Sequence, residues 1–429
     1  MKSWQPVIRW TGLAAAAVAL AACSTDGEAS TEQGSKPSAA SSSVAPTTPS
    51  VDVAALDTGK YPTTPRAPFG ETTHDNLIQV EGQRMAQYIV VPFEIDAELT
   101  KPTNPTMVII GRDSMRPLLP KESWDVRANA ALVGGFVSTA STPDEMIRSG
   151  KNRALNNMVV RYLTPADAKA AAQQMAEGMA AKNNTTTTSL PGSPESLVIR
   201  TSLQDQKMIS VFTPHGRYVL FQWYQVRDGQ EDKLVPTVSK AIKLQSALID
   251  QFPATPTKAE KAAGDPGRVK VVMDENRVLI YALPFPDEQV REGANGIPGA
   301  NVRAVYGPRG MAHVSSDPSG TFKLLNQVGS TANGIERSTV YRAKDDAGAT
   351  TLINSMTSSA KGSGWKDIAP PPGLPVAHCQ STAAPKTNYA CYVQLGRYVG
   401  EVHSTDKTDA YQQISAQYVI FTKADQNAK

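Results

Sequence analysis

The sequence predicts an α+β protein made of two duplicated β-β-α-β-β-α units, each an antiparallel or mixed sheet with helices packed on one face. Two repeated motifs indicate the duplication. Gly-Arg-Tyr-Val occurs at residues 216–219 and again at 396–399. Upstream, a tyrosine and an Asp-Ala pair recur at an offset of 179 residues, in RYLTPADAKA and VYRAKDDAGA. Short β-branched runs alternate with helical apolar patterns in both copies, so we assign the units to 128–252 and 300–422.

The first 22 residues are predicted to be a signal peptide. Lys2 and Arg9 precede an uncharged stretch, 11–22, that is too short to span a bilayer, which needs about 20 apolar residues. Leu20-Ala-Ala-Cys23 then resembles the bacterial lipobox, which implies cleavage before the cysteine and lipid on its sulfur. We therefore expect acyl chains such as palmitate on Cys23 to hold the protein on the membrane. The alternative is an ordinary secretion signal followed by a chance cysteine.

Residues 23–52 are rich in Ser, Thr, Ala, Gly and Pro and contain almost nothing to bury, so they are predicted to be a disordered tether. As a flexible coil, the tether reaches on the order of 30 Å. The protein is accordingly expected outside the cytoplasm, anchored to the cell membrane. Its formal net charge is only +3 and it lacks the basic patches that bind nucleic acid, so no nucleic-acid partner is expected.

The N-terminal α+β domain is assigned to 53–252. Thr164 resembles a helix N-cap, with Pro165 in the first turn. The helix that follows should bury one face, because apolar residues recur there at three- and four-residue spacing, at Ala168, Ala171, Ala172, Met175, Ala176 and Met179. The other elements predicted for this domain are a helix at 77–89, a last helix ending at Phe252, and strands at 107–110, 131–140, 158–163, 196–200 and 208–226, the last segment with a turn near Pro214-His215-Gly216.

A linker rich in Pro, Gly and Lys is expected at 253–267, followed by the C-terminal α+β domain at 268–429. This domain should open with a hairpin centred on Asp274-Glu275-Asn276. A strand is predicted at 310–316, GMAHVSS, and further strands at 337–342, 375–380 and 391–403. Two helices are predicted from the apolar faces Ala349, Leu352, Ile353, Met356 and Ile414, Gln417, Tyr418, Phe421.

Cys379 and Cys391 are the remaining two cysteines, and an exported protein is a setting in which disulfides persist. Two strands joined by the 11 residues between these cysteines would bring them side by side, so we predict a disulfide. The alternative is two buried free thiols. A metal site is not expected, because no CxxC or HxxxH spacing accompanies them.

Four segments carry a resemblance to a known family: LDTGKYPTTP, EGQRMAQYIVVP, VYGPRGMAHVSSDP and VYRAKDDAGA. They resemble an uncharacterised family of two-domain lipoproteins from mycobacteria, nocardiae and related actinobacteria. The resemblance covers about residues 53–423. It implies an envelope location and the order lipobox, tether, N-terminal domain and C-terminal domain, and it implies no activity.

No motif for a catalytic site, a cofactor or a metal appears, so none of these is predicted and the protein is not expected to be an enzyme. A single SxxK match at 358–361 lacks a following KTG, and the glycine-rich 293–299 is interpreted as a flexible loop. His313 is expected to be a core or edge residue of a strand, and His378 and His403 could approach each other across neighbouring strands. The other two histidines are His74 and His215.

Tyr218, Phe221 and Trp223 are expected on a single face of one strand. Core packing is the simpler interpretation of these aromatic residues, and the alternative is an aromatic floor of a ligand groove. The leading functional hypothesis is a membrane-anchored envelope module that binds envelope lipid, glycan or protein without catalysing a reaction. Two alternatives remain, an envelope hydrolase with a non-standard site and an accessory or sensor subunit of a membrane protein.

Overall fold

A computed structural model describes residues 50–73, 76–264, 271–286, 288, 290, 302–383 and 387–428. Within these residues the chain forms two antiparallel sheets, one in each of two α+β domains. No helix in the described part of the chain is long and apolar enough to cross a membrane. Cys23, the predicted signal peptide, most of the predicted tether, His74 and residues 293–299 lie outside the described residues.

The sheet of the N-terminal domain is built from eight strands: β1 (Lys101–Pro102), β2 (Met107–Ile109), β3 (Leu132–Ser141), β4 (Ala154–Tyr162), β5 (Thr188–Leu190), β6 (Ser193–Leu203), β7 (Gln206–His215) and β8 (Tyr218–Arg227). Their order is β1-β3-β4-β8-β7-β6-β5, and β2 also pairs with β3. The β7–β8 hairpin turns at Gly216, whose φ of 53° favours glycine. The long central strands confirm the strands predicted here.

The helices of this domain are α1 (Leu77–Met85), α2 (Pro92–Ile95), α3 (Lys121–Trp124), α4 (Asp144–Arg148), α5 (Pro165–Lys182), α6 (Leu234–Ile249) and α7 (Lys258–Ala262). Helix α5 begins as predicted, because the Thr164 side chain accepts a hydrogen bond from the amide of Asp167. All six residues of its predicted apolar face are buried. The helix is therefore held by packing along the whole of that face.

The sheet of the C-terminal domain is built from seven strands: β9 (Ala304–Tyr306), β10 (Asn333–Ile335), β11 (Thr339–Arg342), β12 (Lys366–Ile368), β13 (His378–Thr382), β14 (Asn388–Leu395) and β15 (Tyr398–Ser404). Read from β9, their order is β9-β10-β11-β15-β14-β13-β12. This order is the same as that of β2-β3-β4-β8-β7-β6-β5 in the first sheet. The helices here are α8 (Pro308–Val314), α9 (Pro318–Gln327), α10 (Asp346–Gly362) and α11 (Lys407–Phe421).

Helices cover both faces of each sheet, so the prediction of helices on one face is wrong. In β8, Phe221 packs with the residues of α5, whereas Leu220 and Tyr224 pack with those of α6. In β15, Val399 packs with α10, whereas Tyr398 and Val402 pack with α11. The physical reason is that these central strands carry apolar side chains on both faces, and each face must be shielded from water.

Each domain also contains more strands than the predicted unit. Four strands, not two, follow α5, and four follow α10. Apart from the short helix α4 between β3 and β4, the observed order of each unit is therefore β-β-α-β-β-β-β-α. The prediction missed β5 and β12 because they are edge strands of only three residues, too short for an alternating pattern to identify. The predicted unit also counted the β7–β8 segment once, although the turn predicted near Pro214-His215-Gly216 is present.

The hydrogen-bond register aligns the two domains more accurately than the sequence motifs. Arg161 pairs with Tyr218 between β4 and β8, and Arg342 pairs with Tyr398 between β11 and β15. From Arg161 to Arg342 the offset is 181 residues. The N-caps Thr164 and Asp345 share it. The predicted offset of 179 was therefore two residues out of register over the strand and helix.

Two predictions for the C-terminal domain are wrong. Residues 310–316 contribute mainly to helix α8, which begins with Pro308 at its first position, and not to a strand. The predicted hairpin around Asp274 is absent from the described residues 271–283. The Asp274 carboxylate instead accepts hydrogen bonds from the amides of Val278 and Ile280, both at 2.9 Å, and so stabilises a 3₁₀ helix, Leu279–Tyr281.

Residues 51–69, which we call the strap, were assigned to the end of the tether and, from residue 53, to the N-terminal domain, but they pack on the C-terminal domain. Leu56 and Tyr61 are buried in the same apolar cluster as α11. Tyr61 Oη donates to Asp409 Oδ1 at 2.5 Å, and Lys423 Nζ donates to the carbonyl of Thr63 at 2.7 Å. The strap is thus part of the C-terminal domain in space.

The described part of the predicted linker, 253–264, is packed on the N-terminal domain. The carboxylate of Glu260, in α7, lies 3.0 Å from Arg161 Nη2 and 2.9 Å from Arg217 Nε. The amide of Thr255 donates to Glu81 Oε1 at 2.6 Å. These contacts fix the exit of the chain from the first domain.

The two domains share one apolar cluster, which contains Phe136 and Val159 of the first domain and Tyr306 and Met311 of the second. Polar contacts cross the same interface. Gln83 Nε2 donates to the carbonyl of Arg303 at 2.8 Å, and Arg309 forms an ion pair with Glu94. His313 confirms the core prediction, although it lies in α8 and not in a strand.

Candidate functional site

The three aromatic residues proposed for a ligand surface do not lie on one face. Side chains alternate along a strand, so Tyr218 points away from Phe221 and Trp223. Phe221 is fully buried, 4.7 Å from the Phe212 ring centroid, and Trp223 packs against the same cluster. Tyr218 packs on the opposite face, where burial raises its pKa. A common aromatic floor is therefore wrong, and these residues serve as core packing.

A cavity of about 30 Å³ lies in the C-terminal domain, between helices α9 and α10 and the face of the sheet. This volume has room for about two water molecules. Its walls combine four apolar side chains with six that carry a polar group: Leu324, Leu325, Leu352, Met356, Ser315, Thr321, Ser359, Tyr341, Tyr392 and Glu401. An apolar pocket with a few convergent polar groups is the usual form of a ligand site.

Glu401 is the charged group of this cavity, and its side chain is 4% exposed. One carboxylate oxygen accepts a hydrogen bond from Tyr341 Oη at 2.9 Å, and the other lies 2.8 Å from His403 Nε2. Burial, followed by the charge of Glu401, raises the pKa of Tyr341 well above its usual range, so this tyrosine is a neutral donor. The imidazole of His403 is 37% exposed and connects the carboxylate to solvent.

Aligning the two sheets by the registers of their paired strands shows which residues occupy these positions in the first sheet. Glu401 and Phe221 each lie three residues after the paired tyrosine of their hairpin, and His403 and Trp223 each lie five residues after it. Tyr341 corresponds in the same way to Val160. Phe221 and Val160 are fully buried core residues. The C-terminal domain thus carries an ionisable cluster where the N-terminal domain carries apolar packing.

This replacement carries an energetic penalty. Removing a carboxylate from water is unfavourable by several kcal/mol, and hydrogen bonds recover only part of that free energy. An apolar side chain at position 401, as at Phe221, would avoid the penalty altogether. A carboxylate at a core position, beside a cavity with other convergent polar groups, is a candidate for binding or chemistry.

The histidines otherwise stay apart. His378 and His403 lie on β13 and β15, with β14 between them, so they do not approach as the sequence suggested. His215 pairs with Asp250 at 2.6 Å on the surface. In the described residues, no group of three His, Cys, Asp or Glu side chains could hold a metal ion.

The predicted disulfide is present. Cys379 and Cys391 pair directly between β13 and β14, with a Cα–Cα distance of 4.1 Å and an S–S bond of 2.00 Å. Both cysteines are buried on the α11 side of the sheet, on the face opposite the cavity. The disulfide therefore joins two strands of the sheet that carries the cavity and does not contribute to its lining.

Sequence reasoning missed Glu401 because an acidic residue two positions before a histidine in a strand is typical of a solvated edge. One signal could have found it. Glu401 and Phe221 occupy the same position when residues are counted from the two Gly-Arg-Tyr-Val motifs. This alignment predicts a carboxylate at a position that is apolar in the first copy.

No curated protein matches this chain. One solved structure that matches is the extracellular domain of PknH from Mycobacterium tuberculosis, at 13% sequence identity and a TM-score of 0.26. The match covers 43% of this chain and 98% of that domain. Two family models together match most of the chain: the N-terminal domain of unknown function DUF7373 at residues 69–263 and its C-terminal counterpart at 285–424. The chain therefore belongs to the DUF7373 family of two-domain proteins of unknown function.

Proposed function

We propose that this protein is a cell-envelope lipoprotein of an actinobacterium that binds a small ligand in the cavity of its C-terminal domain. The lipobox-like Leu20–Cys23 and the polar tether support the anchor and the location outside the cytoplasm. The buried carboxylate of Glu401, at a position that is apolar core in the other domain, is the observation that carries the binding site.

A duplication of one ancestral domain underlies this proposal. The common strand order and the shared register of Arg161 and Arg342 support it. The correspondence extends upstream, where the last helix of each domain holds a tyrosine carbonyl through a glutamine. Gln245 Nε2 donates to Tyr88 O, and Gln417 Nε2 donates to Tyr281 O, both at 2.9 Å. After duplication, the first copy kept its apolar core and the second acquired the site.

The ligand is expected to present a hydrogen-bond donor, a hydroxyl or an ammonium group, attached to an apolar carbon. The donor group would face the carboxylate of Glu401, and the carbon would contact Leu352 and Met356. Because the cavity has room for about two water molecules, it takes the tip of a ligand and not a whole acyl chain. Binding without catalysis is the function that this geometry supports best.

The test uses ethanol and ethylamine as probes, followed by NMR of the Leu352 and Met356 methyl groups. Saturable shifts are expected in the wild-type protein, with at least a tenfold loss of affinity in Glu401→Gln. Glu81→Gln is the matched control, because Glu81 is also buried but lies in the other domain. Unchanged binding in Glu401→Gln would refute the site. Mass spectrometry of molecules that co-purify with the two variants then identifies the natural ligand.

A hydrolase is the second candidate, and one contact favours it. If His403 Nε2 donates to Glu401, the other ring nitrogen, Nδ1, is left as an acceptor that could take a proton from water. Hydrolysis of p-nitrophenyl acetate by the wild-type protein, lost in His403→Gln, would favour this candidate. Equal rates in the two proteins would exclude a role for the histidine.

The lipid anchor is tested separately through Cys23→Ala. Acyl chains hold a protein on a membrane by about 0.8 kcal/mol per buried methylene, so their loss should release the protein into the medium. Fractionation followed by immunoblotting measures this, with the wild-type protein as reference. A variant that remains in the washed membrane fraction would contradict the lipobox interpretation.

A further inference from the structure

A second concave surface lies where the strap crosses the C-terminal domain. We call it the arginine basin, and it is lined by Arg66, Phe69, Pro284, Phe285, Pro286 and Arg303. Its volume is about 440 Å³, within the range of about 300–1,000 Å³ typical of small-molecule sites. It is separate from the cavity at Glu401, with which it shares no residue.

A buried carboxylate organises the basin. The side chain of Glu336 is fully buried, and its oxygens lie 2.7 Å from Arg66 Nη2 and 3.0 Å from Arg303 Nη2. The amide of Phe285 donates to the same carboxylate at 2.9 Å. Glu336 thus holds two guanidinium groups and the adjoining backbone in fixed positions, so little ordering would remain for a ligand to induce.

Arg66 keeps donors for a ligand. Its Nη2 is used by Glu336, but its Nε and Nη1 make no hydrogen bond to any residue that the structure describes, and the side chain is 24% exposed. The Phe69 ring lies under both arginines, with its centroid 5.3 Å from Arg66 Cζ and 5.8 Å from Arg303 Cζ. These two donors lie on different edges of the guanidinium, so each offers a single charge-assisted hydrogen bond to an oxygen of a carboxylate or phosphate.

We infer that the arginine basin binds an oxyanion, a carboxylate or a phosphate, carried by a sugar-sized molecule. The oxyanion accepts a charge-assisted hydrogen bond from Arg66, and the rest of the molecule packs against Phe69 and Phe285. The strap supplies Arg66 and Phe69, and the rest of the C-terminal domain supplies Phe285 and Arg303. The binding surface therefore needs both the strap and the domain.

The probes for this inference are glucose 6-phosphate, glucuronate and glucose, titrated into the full chain by isothermal calorimetry. The two charged sugars should bind and glucose should bind at least tenfold more weakly. The stronger of the two charged sugars distinguishes a phosphate from a carboxylate ligand. Equal affinities for all three sugars, or no binding of either charged sugar, would overturn the inference.

Substitutions in the arginine basin test whether the sugars bind there. Arg66→Gln should weaken binding of the charged sugars by roughly tenfold or more, since a charge-assisted hydrogen bond is lost. Arg148→Gln, at an exposed arginine paired with Glu145, is the matched control and should bind as the wild type does. Should Arg66→Gln fail to fold, Phe69→Leu keeps both guanidiniums and should still weaken binding. Unchanged affinity in the folded Arg66 or Phe69 variant would refute the site. Glu401→Gln should leave this binding intact, which separates the result from the proposed function.

Discussion

His313 shows how one residue couples the two domains. Its Nε2 lies 3.0 Å and 3.2 Å from the carbonyl oxygens of Ala86 and Ile89, so this nitrogen must carry the hydrogen. Its Nδ1, 2.8 Å from Ser138 Oγ, accepts from that hydroxyl. Burial, assisted by the charge of Arg309, lowers the pKa of His313 to about 3. The imidazole is therefore neutral in the folded protein.

This depressed pKa predicts a loss of stability in mild acid. The unfolded chain binds a proton below about pH 6.5 and the folded chain does not, so acid favours unfolding until the pH approaches 3. Between pH 7 and pH 5 this linkage should lower the free energy of unfolding by about 2 kcal/mol. Urea denaturation of the wild-type protein and of His313→Gln measures it, with the smaller pH dependence expected in the variant. Identical pH dependences would contradict the assignment.

His313 could be predicted from the sequence to be buried, whereas Glu401 could not. The burial of His313 could be predicted from its apolar neighbours, but its partners Ala86, Ile89 and Ser138 lie in the other domain and no local pattern reveals them. Glu401 was missed for the opposite reason. Its strand was correctly predicted, but the depth of a strand residue depends on which helix covers that face.

At the scale of elements, length decides what the sequence can predict. Helices α5 and α10 have 18 and 17 residues, enough for a repeated apolar spacing to identify their buried faces. Helix α8 has seven residues, fewer than two full repeats of that spacing, and its apolar Met311, Ala312 and Val314 are equally compatible with a strand. Edge strands β5 and β12 are shorter still, and only pairing with their neighbours establishes them.

The disulfide in the β13–β14 hairpin is expected to stabilise the folded protein. Cys379→Ala/Cys391→Ala should lower the free energy of unfolding by about 3 kcal/mol, because the unfolded chain regains the freedom of the closed loop. Urea denaturation of the oxidised wild type and the double variant measures the difference. Reduction of the wild type by dithiothreitol should produce a comparable loss, whereas the double variant should not respond to the reductant. Equal stability of all three samples would show that the bond contributes nothing.

At the scale of the whole molecule, the apolar cluster that contains Phe136 and Met311 has no boundary at the domain interface. The strap and residues 253–264 each attach to one domain, so neither behaves as a free connection. The sequence predicted two domains and a linker from composition, which cannot reveal such attachments. Ordinary interdomain contacts permit relative motion, but a continuous core of this kind opposes it.

A continuous core predicts that both domains unfold in one transition. Trp124 reports on the N-terminal domain and Trp365 on the C-terminal domain, and both are largely buried. Trp223 also lies in the N-terminal domain, so the C-terminal domain is followed in Trp124→Phe/Trp223→Phe and the N-terminal domain in Trp365→Phe. The fluorescence of each variant should follow a urea curve that coincides with its own far-ultraviolet circular dichroism. Two separated midpoints within one variant would show that the domains unfold independently.

The strap also determines how mechanical load would enter the molecule. Tension applied at the amino-terminal side of residue 51 meets the contacts of Tyr61 with Asp409 and of Arg66 with Glu336 before it reaches any strand of the first domain. Force transmitted through the tether would therefore shear the strap from the second domain. The first domain would bear no load until those contacts break. Single-molecule stretching from that end should register strap release as the earliest rupture.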